Sequence, residues 1–390
     1  MHSKHILFIS SWYPVPDKPT HGIFNRYFAE AAALYNKVSV LHVSSGTGLN
    51  NDFEIQETTE SGIHHVRVFY KKVNSDSLWA AFLKRRKLLK AFDKGYARLL
   101  KSCGRPDLIQ LNVAMPLGIG ALSLARQHRL PYLVNENWSG YTKEDGNYKG
   151  FFLKMITARI LNGASFILPT SNYLRDAMVS QGLKGEYRVV PNVVNTGVFK
   201  PMALPKDESF TRFIHISSLN DREKNVSGII RAFYQALLEN RTLELLIVGE
   251  GVDEPVYRKL TTALKIVQNV RFAGRLMSEE LARQINLSDA LVMFSNYETF
   301  CLVNIEAFAC GKPVITSNAG AIPEYMHPSR GVVVPVGDEI KLKTALLELA
   351  AEKHKYKTEE IRDFAVKNFS YEEVGKQLSA IYNQVLSHKK

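Results

Sequence analysis

Short runs of apolar, mostly β-branched residues alternate along the chain with longer segments whose apolar residues recur every three or four positions. The short runs are typical of buried strands, and the longer segments are typical of amphipathic helices. Their regular alternation predicts βα units that assemble parallel sheets. In the first half the predicted strands are His5–Ser10, Val38–Val43, Asp107–Leu111, Pro131–Val134, Phe166–Pro169 and Tyr187–Val190, with helices such as Phe24–Tyr35 and Pro116–His128 between them.

A break at residues 191–209 predicts a linker, because three prolines and a polar end interrupt the periodicity there. The alternation then restarts, which predicts a second domain of the same kind. Its predicted strands are Arg212–Ser217, Leu243–Val248, Val270–Phe272, Ala290–Phe294, Pro313–Thr316 and Val332–Val334, with helices including Val226–Glu239, Ser278–Asn286 and Leu302–Ala309. We therefore predict an α/β fold with doubly wound domains at 1–195 and 196–368, and a final helix within 369–390 that packs on the first domain.

Composition changes this picture little, since 45% hydrophobic and 23% charged residues are ordinary for a globular chain of 390 residues. No apolar run is long enough for a spanning helix, and the five-residue run near the start is too short for a signal-peptide core. Cys103, Cys301 and Cys310 form no CxxC pair, so neither a disulfide scaffold nor a zinc site is expected. These features favour a cytoplasmic location and predict no metal site.

The formal net charge of +12 favours an anionic ligand, membrane or nucleic acid. Residues 84–105 contain nine Lys or Arg against one acid, Asp93, and Leu78, Trp79, Phe82 and Leu83 precede them. This basic amphipathic helix predicts either a solvated charged face or a surface for anionic lipid. Nucleic-acid binding is not expected, because no helix-turn-helix, RNP or zinc pattern is present. Hydride transfer is not expected either, because no G-x-G-x-x-G follows the first strand.

The most informative segment is 288–324, which is predicted to form strand, loop, helix, Gly stop, strand and a Gly-containing loop. Glu298 falls at the carboxyl end of a predicted strand, where open α/β sheets bind ligands, and Glu306 lies eight positions on, inside the helix. The backbone N–H groups at the helix start could bind a diphosphate, and a carboxylate in the first turns could accept both hydroxyls of a ribose. The alternative is that glutamates here only complement the helix dipole.

Glu298 and Glu306 match the Glu-x7-Glu pattern of a large family, and four further segments extend the match over nearly all of the chain. These are WYPVPDKPTHGIF (12–24), PNVVNTGVF (191–199), HISSLNDREKN (215–225), and LLIVGEGVDEP (245–255) with VRFAGRL (270–276). The chain resembles the retaining glycosyltransferases of the GT-B fold, of the family 4 and group 1 type. The resemblance implies two facing Rossmann-like domains, with the acceptor bound by the N-terminal one and a nucleotide-sugar donor by the C-terminal one.

The resemblance also implies roles for individual residues. Lys224 would bind the donor diphosphate and neutralise charge on the leaving group, Glu298 would contact donor-sugar hydroxyls, and Glu306 would hold the ribose. The other donor-site residues that it implies are Gly22, Ser217, Ser218, Arg222, Gly249, Gly251, Arg275, Leu276, Thr299, Phe300, Cys301 and Leu302. Candidates on the acceptor side are His21, Asn137, Trp138, Ser139 and Tyr141.

Three positions depart from the family pattern. Ser217 and Ser218 stand where the family usually has Gly-Arg, and Arg222 is a candidate replacement for the missing cation. Cys301 stands where Gly is usual, so it either narrows the approach of backbone to sugar or is a small core residue. Asn137 stands where many members have an active-site His, and an amide cannot act as a general base.

Alternatives remain for the acceptor-side residues, since Trp138 and Tyr141 are either sugar-stacking platforms or local core, and His21 is either titratable or structural. The predicted function is transfer of a sugar from a nucleoside-diphosphate-sugar to a saccharide or lipid-linked saccharide, with retention and with no metal or other cofactor. Membrane contact through Leu78–Arg105 is favoured, because acceptors of the family are often lipid-linked. The alternatives are a protein that binds nucleotide sugar or glycan without transfer, and another GT-B enzyme such as an epimerase or a glycogen-type synthase.

Overall fold

The computed structural model describes residues 4–15, 18–46, 49–73 and 78–387. The chain forms two compact units, of which unit 1 combines Met1–Val193 with Tyr371–Lys390 and unit 2 is Val194–Ser370. Each unit is built around its own sheet, with helices on both faces. No helix in the described ranges is long and apolar enough to span a bilayer.

Within its described residues, unit 1 contains a seven-stranded sheet in the order β3-β4-β2-β1-β5-β6-β7. All neighbouring pairs are parallel except β3 and β4, which form an antiparallel hairpin at the edge. The strands are β1 His5–Ser10, β2 Lys37–Gly46, β3 Phe53–Glu60, β4 Ile63–Lys71, β5 Leu108–Asn112, β6 Tyr132–Glu136 and β7 Ile167–Pro169. The helices are α1 Ile23–Ala33, α2 Leu78–Cys103, α3 Gly118–His128, α4 Phe151–Leu161, α5 Asn172–Ser180 and α13 Tyr371–Ser387, with a 3-10 turn at Ser139–Tyr141.

The described part of unit 2 contains a six-stranded parallel sheet in the order β10-β9-β8-β11-β12-β13. Its strands are β8 Thr211–Ile216, β9 Leu243–Val248, β10 Val270–Gly274, β11 Ala290–Met293, β12 Val314–Ser317 and β13 Gly331–Val334. Its helices are α6 Asp221–Lys224, α7 Val226–Glu239, α8 Glu254–Ala263, α9 Ser278–Leu287, α10 Leu302–Ala309, α11 Glu339–Glu352 and α12 Thr358–Phe369. Apolar clusters cover both faces of the sheet, so polar side chains gather at its strand ends.

The predicted strands are confirmed except Tyr187–Val190, which is wrong. Tyr187 forms only an isolated bridge with Ile167, and the following residues run along the edge of β7 until Pro191 removes a backbone donor. The sequence-based prediction also missed the β3–β4 hairpin, because β3 is an edge strand with mostly exposed or half-exposed polar residues.

The final helix α13 packs on α1 within unit 1. Gly375 lies so close to α1 that a Cβ there would be 2.3 Å from the Ala31 carbonyl oxygen. Tyr371 donates a hydrogen bond from its hydroxyl to Glu30 (2.6 Å), and the buried Tyr382 hydroxyl donates to Gln110. The last residues of the predicted helix, 388–390, lie outside the described ranges.

Candidate functional site

The polar side chains of unit 2 gather where its parallel strands end, in the loops that follow β8 and β11. Asn296, after β11, donates from its backbone N–H to the Glu223 carbonyl (2.8 Å) and from its side chain to the Arg222 carbonyl (3.0 Å). Because β8 and β11 are neighbours in the sheet, these bonds tie the two loops together. They bring α6 next to the loop that contains Glu298.

Lys224 and Glu298 form an ion pair across these two loops, with 2.7 Å between Nζ and Oε1. Both side chains are mostly buried, with 18% and 10% of their surfaces exposed. The Ser295 hydroxyl donates to the same carboxylate oxygen at 2.9 Å. Burial lowers the pKa of Lys224, but the adjacent Glu298 carboxylate outweighs it, so the net shift of the pKa is upward. The site therefore holds a fixed, charged ammonium group.

Cys301 precedes α10 in a left-handed conformation, with φ 68° and ψ 75°. This conformation is strained for a side chain and favours glycine, which accounts for the family's usual residue here. The thiol is buried in the core of unit 2, and burial raises its pKa well above the usual range. Of the two interpretations of Cys301, the structure supports the small core residue. Phe300 is also a core residue, and its carbonyl accepts a hydrogen bond from the Tyr325 hydroxyl (2.6 Å).

Glu306 lies inside α10 and is only 5% exposed. Burial raises the pKa of its carboxyl to about 8. Among the described residues, no donor contacts this carboxylate. A buried carboxyl without a donor is costly to ionise, and hydrogen bonds donated by hydroxyl groups of a ligand would stabilise its charged form.

Two glycines follow β9 and bring its loop into backbone contact with the loop after β8. A Cβ at Gly249 (φ +135°) would lie 1.8 Å from the Ser217 carbonyl oxygen, and a Cβ at Gly251 would lie 2.3 Å from the Leu219 carbonyl oxygen. Only glycine allows this approach. The contact fixes the path of the backbone around Ser217 and Ser218.

His215, on β8, was not predicted as a site residue. It holds the hydroxyl of Ser217 in place through a hydrogen bond. Its Nδ1 donates to the Val292 carbonyl (2.8 Å), so its Nε2 accepts from the Ser217 hydroxyl (2.7 Å). Burial lowers the pKa of His215 to about 4, which keeps the ring neutral in this tautomer. The sequence contains a signal that could have identified His215. A histidine in a buried strand among apolar residues needs polar partners.

The remaining donor-site candidates lie at the rim of the same sheet edge. Ser218 and Arg222 are exposed, Arg275 pairs with Glu250 (2.8 Å), and Leu276 is half-buried. Thr299 and Leu302, which flank Phe300 and Cys301, are partly exposed at the start of α10. The described residues bring no group of three His, Cys, Asp or Glu side chains together as metal ligands.

Gly22 and His21 lie before α1 in unit 1. Gly22 has φ +65°, and a Cβ there would lie 2.2 Å from the Trp12 carbonyl group, so the 12–24 loop folds back on itself. Pro16 and Asp17 of this loop lie outside the described residues. The ring of His21 packs against Trp12, and burial lowers its pKa.

His21 also lines a cavity of about 460 Å³ near the carboxyl ends of β1 and β2. Other polar side chains around it include those of Lys18, His42, Ser44, Glu54 and Gln56. Burial lowers the pKa of His42 to about 4, so this ring is a neutral hydrogen-bonding group. The cavity therefore presents mainly hydrogen-bond donors and acceptors.

The other acceptor-side candidates follow β6 and do not line this cavity. Tyr141 is 1% exposed and packs on Tyr148 at 4.8 Å between ring centroids, so of the two alternatives for Tyr141 its burial favours local core. Trp138 is half-buried and packs edge-on against Tyr141. The Ser139 hydroxyl donates to Asp145, and Asn137 lies directly after the strand.

Glu136, which was not predicted, organises this loop. It is completely buried and accepts hydrogen bonds from the backbone N–H groups of Ala114, Asn137 and Trp138 and from the Tyr141 hydroxyl, all at 3.0–3.1 Å. Burial raises the pKa of its carboxyl, and the four donors partly offset that shift. Glu136 is therefore the anchor of the loop that contains Asn137.

Glu136→Gln is expected to lower the free energy of unfolding by about 2–4 kcal/mol. Each carboxylate oxygen of Glu136 accepts two hydrogen bonds, and in the variant an NH2 group would replace one of these oxygens and leave its two donors without an acceptor. Chemical denaturation measures this, with Glu144→Gln in the same loop as the exposed control. An unchanged denaturation midpoint in Glu136→Gln would contradict this role.

Two family models match consecutive parts of the chain. The model described as Glycosyltransferase Family 4 matches residues 30–198, and the model described as Glycosyl transferases group 1 matches residues 200–364. The boundary between them falls within the predicted linker. The second of these models includes α10 and all the strands of unit 2.

Curated relatives match parts of the chain at moderate identity. An N-acetyl-α-D-glucosaminyl L-malate synthase of Bacillus anthracis is 31% identical over 47% of this chain and 48% of the relative. A GDP-mannose-dependent monoacylated α-(1-6)-phosphatidylinositol monomannoside mannosyltransferase of Corynebacterium glutamicum is 33% identical over 41% and 46%, respectively. The chain thus spans about half the length of these relatives.

Solved structures match almost the whole chain. A sucrose-phosphate synthase from Thermosynechococcus elongatus has a TM-score of 0.80 at 21% identity, covering 99% of this chain and 100% of that one. HepE from Anabaena, in complex with UDP and glucose, has a TM-score of 0.70 at 16% identity, covering 98% and 100%. With two parallel-sheet units and consecutive matches to both family models, the chain belongs to the GT-B glycosyltransferases of the family 4 and group 1 type.

Proposed function

We propose that this protein transfers a sugar from a nucleoside-diphosphate-sugar to a saccharide or lipid-linked saccharide acceptor. The observation that supports the proposal most directly is the buried Lys224–Glu298 pair beside the start of α10, with Glu306 inside the same helix. This arrangement offers one cation for a diphosphate and two carboxyl groups for hydroxyls. It lies at the carboxyl ends of parallel strands, where α/β sheets bind ligands.

In this proposal Lys224 binds the donor diphosphate and stabilises the negative charge that develops as the sugar leaves. Glu298 holds the ammonium in place at 2.7 Å and accepts hydrogen bonds from donor-sugar hydroxyls. Because the ion pair is already formed, the cation needs little reorganisation when the donor binds. The N–H groups of Thr299, Phe300 and Cys301 and the exposed Arg222 would add donors for phosphate or sugar.

Glu306 would hold the ribose of the nucleotide. Its buried carboxyl has no donor among the described residues, and two adjacent ribose hydroxyls would supply that pairing. The loops that contain Gly249, Gly251, Arg275 and Leu276 would line the rest of the nucleotide pocket. Relatives named as GDP-mannose-dependent, and neighbours solved with UDP, support UDP or GDP as the nucleotide class.

We also propose that the transfer proceeds with retention and without a metal ion or other cofactor. The charge of Lys224 would perform the neutralisation for which many transferases use a metal. Asn137 cannot act as a base, so the leaving phosphate would take the acceptor proton on the same face of the sugar. A product with inverted anomeric configuration would contradict this part.

For the acceptor, the proposal points to the cavity of unit 1 that His21 lines, because its hydrogen-bonding side chains suit a polyhydroxyl ligand. Contact with an anionic membrane through Leu78–Arg105 belongs to the same proposal, since several relatives are named for lipid acceptors or products. A cytoplasmic location is proposed with it. The free thiols of Cys103, Cys301 and Cys310 are compatible with that compartment.

The first test is a calorimetric screen of UDP, GDP, ADP and their common sugar conjugates. We expect one nucleotide class to bind, and we expect Glu306→Ala to weaken that binding by at least ~10-fold, because two hydrogen bonds to the ribose are lost. Glu339→Ala, on an exposed carboxylate of the same unit, is the control and should bind normally. Binding of none of the nucleotides would contradict the proposal, and binding without transfer to any acceptor would favour a non-catalytic protein.

A further inference from the structure

A groove with a volume of about 550 Å³ opens on unit 1 between α2, α3 and α4. Its floor is apolar and consists of Leu89, Ile119, Leu122, Ile156 and Ile160. None of these side chains lines the cavity beside His21. The groove is therefore a separate concave surface, and its chemistry differs from that of a sugar site.

Large apolar side chains stand exposed along the edges of this groove. Phe152 and Met155 line it and are 73% and 49% exposed, and Phe151, at 75%, packs edge-on against Phe152. On α2, Trp79 and Phe82 are 67% and 53% exposed and stack on each other at 5.5 Å between ring centroids. Phe82 lies one helical turn before the part of α2 that lines the groove. Exposed aromatic pairs on two of the helices that form a groove mark an interaction surface.

The groove is also cationic, because each of the three helices contributes one arginine to its lining: Arg85, Arg126 and Arg159. All three are exposed, and within the described ranges none of their guanidinium groups is in an ion pair or hydrogen bond. Other Lys and Arg residues of α2 add to the positive charge of that helix, whose one acid is Asp93. The guanidinium groups are thus available to an anionic partner.

We propose that this groove binds the anionic phospholipid of a membrane surface, with acyl chain against the apolar floor and phosphate against the three arginines. An apolar floor, exposed aromatics and unpaired cations together match a lipid that has an apolar chain and a charged headgroup. A polynucleotide would leave the phenylalanines exposed, and an apolar helix of another protein would leave the arginines unpaired. The site extends to α3 and α4 the membrane contact of α2 that the proposed function includes; it rests on that part of the proposed function and not on the donor site in unit 2.

The test is co-sedimentation of the full chain with vesicles of equal parts phosphatidylglycerol and phosphatidylcholine, compared with phosphatidylcholine alone. We expect binding to the anionic vesicles to fall by at least ~10-fold in F151S/F152S, which removes two large apolar anchors. We expect R85Q/R126Q/R159Q to lose ~100-fold and with it the preference for the anionic lipid.

The matched control is V252S/I340S, which removes two apolar side chains of unit 2 that are 82% and 78% exposed and should leave vesicle binding unchanged. Lipids brominated in the acyl chain should quench tryptophan emission in the native chain but much less in W79F. Far-ultraviolet circular dichroism and the midpoint of thermal unfolding report that each variant is folded, whether or not the protein binds a nucleotide. Equal binding to both kinds of vesicle, or native binding by F151S/F152S, would overturn the proposal.

Discussion

Lys224→Met is expected to lower the rate of sugar transfer by ~10²–10³-fold, because it removes the fixed charge that would stabilise the leaving diphosphate in the transition state. Methionine has nearly the length of lysine and fills the same space. The loss should appear mainly in kcat, since that charge develops as the bond to the sugar breaks. Turnover of the nucleotide sugar with a suitable acceptor measures it.

Because Lys224 is mostly buried against Glu298, the single variant leaves an unpaired carboxylate and is expected to be less stable. The double variant Lys224→Met with Glu298→Gln removes both charges and should recover much of that stability while staying inactive. The control is the exposed pair of Arg231 and Glu339, where the same pair of substitutions should change neither property. Full activity of the folded double variant would show that these residues are not the catalytic ones.

The stability of unit 2 is expected to depend on pH through Glu306. The pKa of its carboxyl is 4.5 in the unfolded chain and about 8 in the folded protein, where burial disfavours the charge. The folded state therefore binds the proton more tightly, so stability is full below pH 4.5 and is lost as the pH rises through 8. The pKa difference corresponds to about 5 kcal/mol.

Glu306→Gln keeps the shape of the protonated side chain and removes the titration. Chemical denaturation at pH 5 and at pH 8.5 should show the variant gaining about 3–5 kcal/mol relative to the native chain at the higher pH. Glu339→Gln should follow the native curve at both. If the native and Glu306→Gln proteins lose stability in parallel, the carboxyl does not titrate as the geometry indicates.

The sequence predicted the fold well where a local pattern of residues was sufficient to define a helix or a strand. The bounds of α7 and α10 agree with the structure, because a Gly or Asn ends each apolar pattern sharply. Glu298 was placed at a strand end by chain order alone, and the structure puts it there. The edge strand β3 was missed because its stability comes from pairing with β4, which its own polar sequence does not show.

The side chains that organise the site were harder to predict, because their role depends on donors that come from distant parts of the chain. Glu136 accepts from Ala114, 22 residues earlier, as well as from the loop that follows it. His215 bonds to Val292, 77 residues later, through a contact between neighbouring strands. The spacing of residues along the sequence does not show that these distant donors and acceptors meet. Only the folded structure shows it.

The chain leaves unit 1 at Val193 and returns to it at Tyr371, so that unit 2 is inserted within unit 1. The returning helix α13 buries Val374, Leu378 and Tyr382, which complete the packing of unit 1. During synthesis, every residue of unit 2 emerges from the ribosome before the last segment of unit 1. Unit 2 can therefore finish folding first, and unit 1 must wait until residues 371–387 have been synthesised to acquire its final helix.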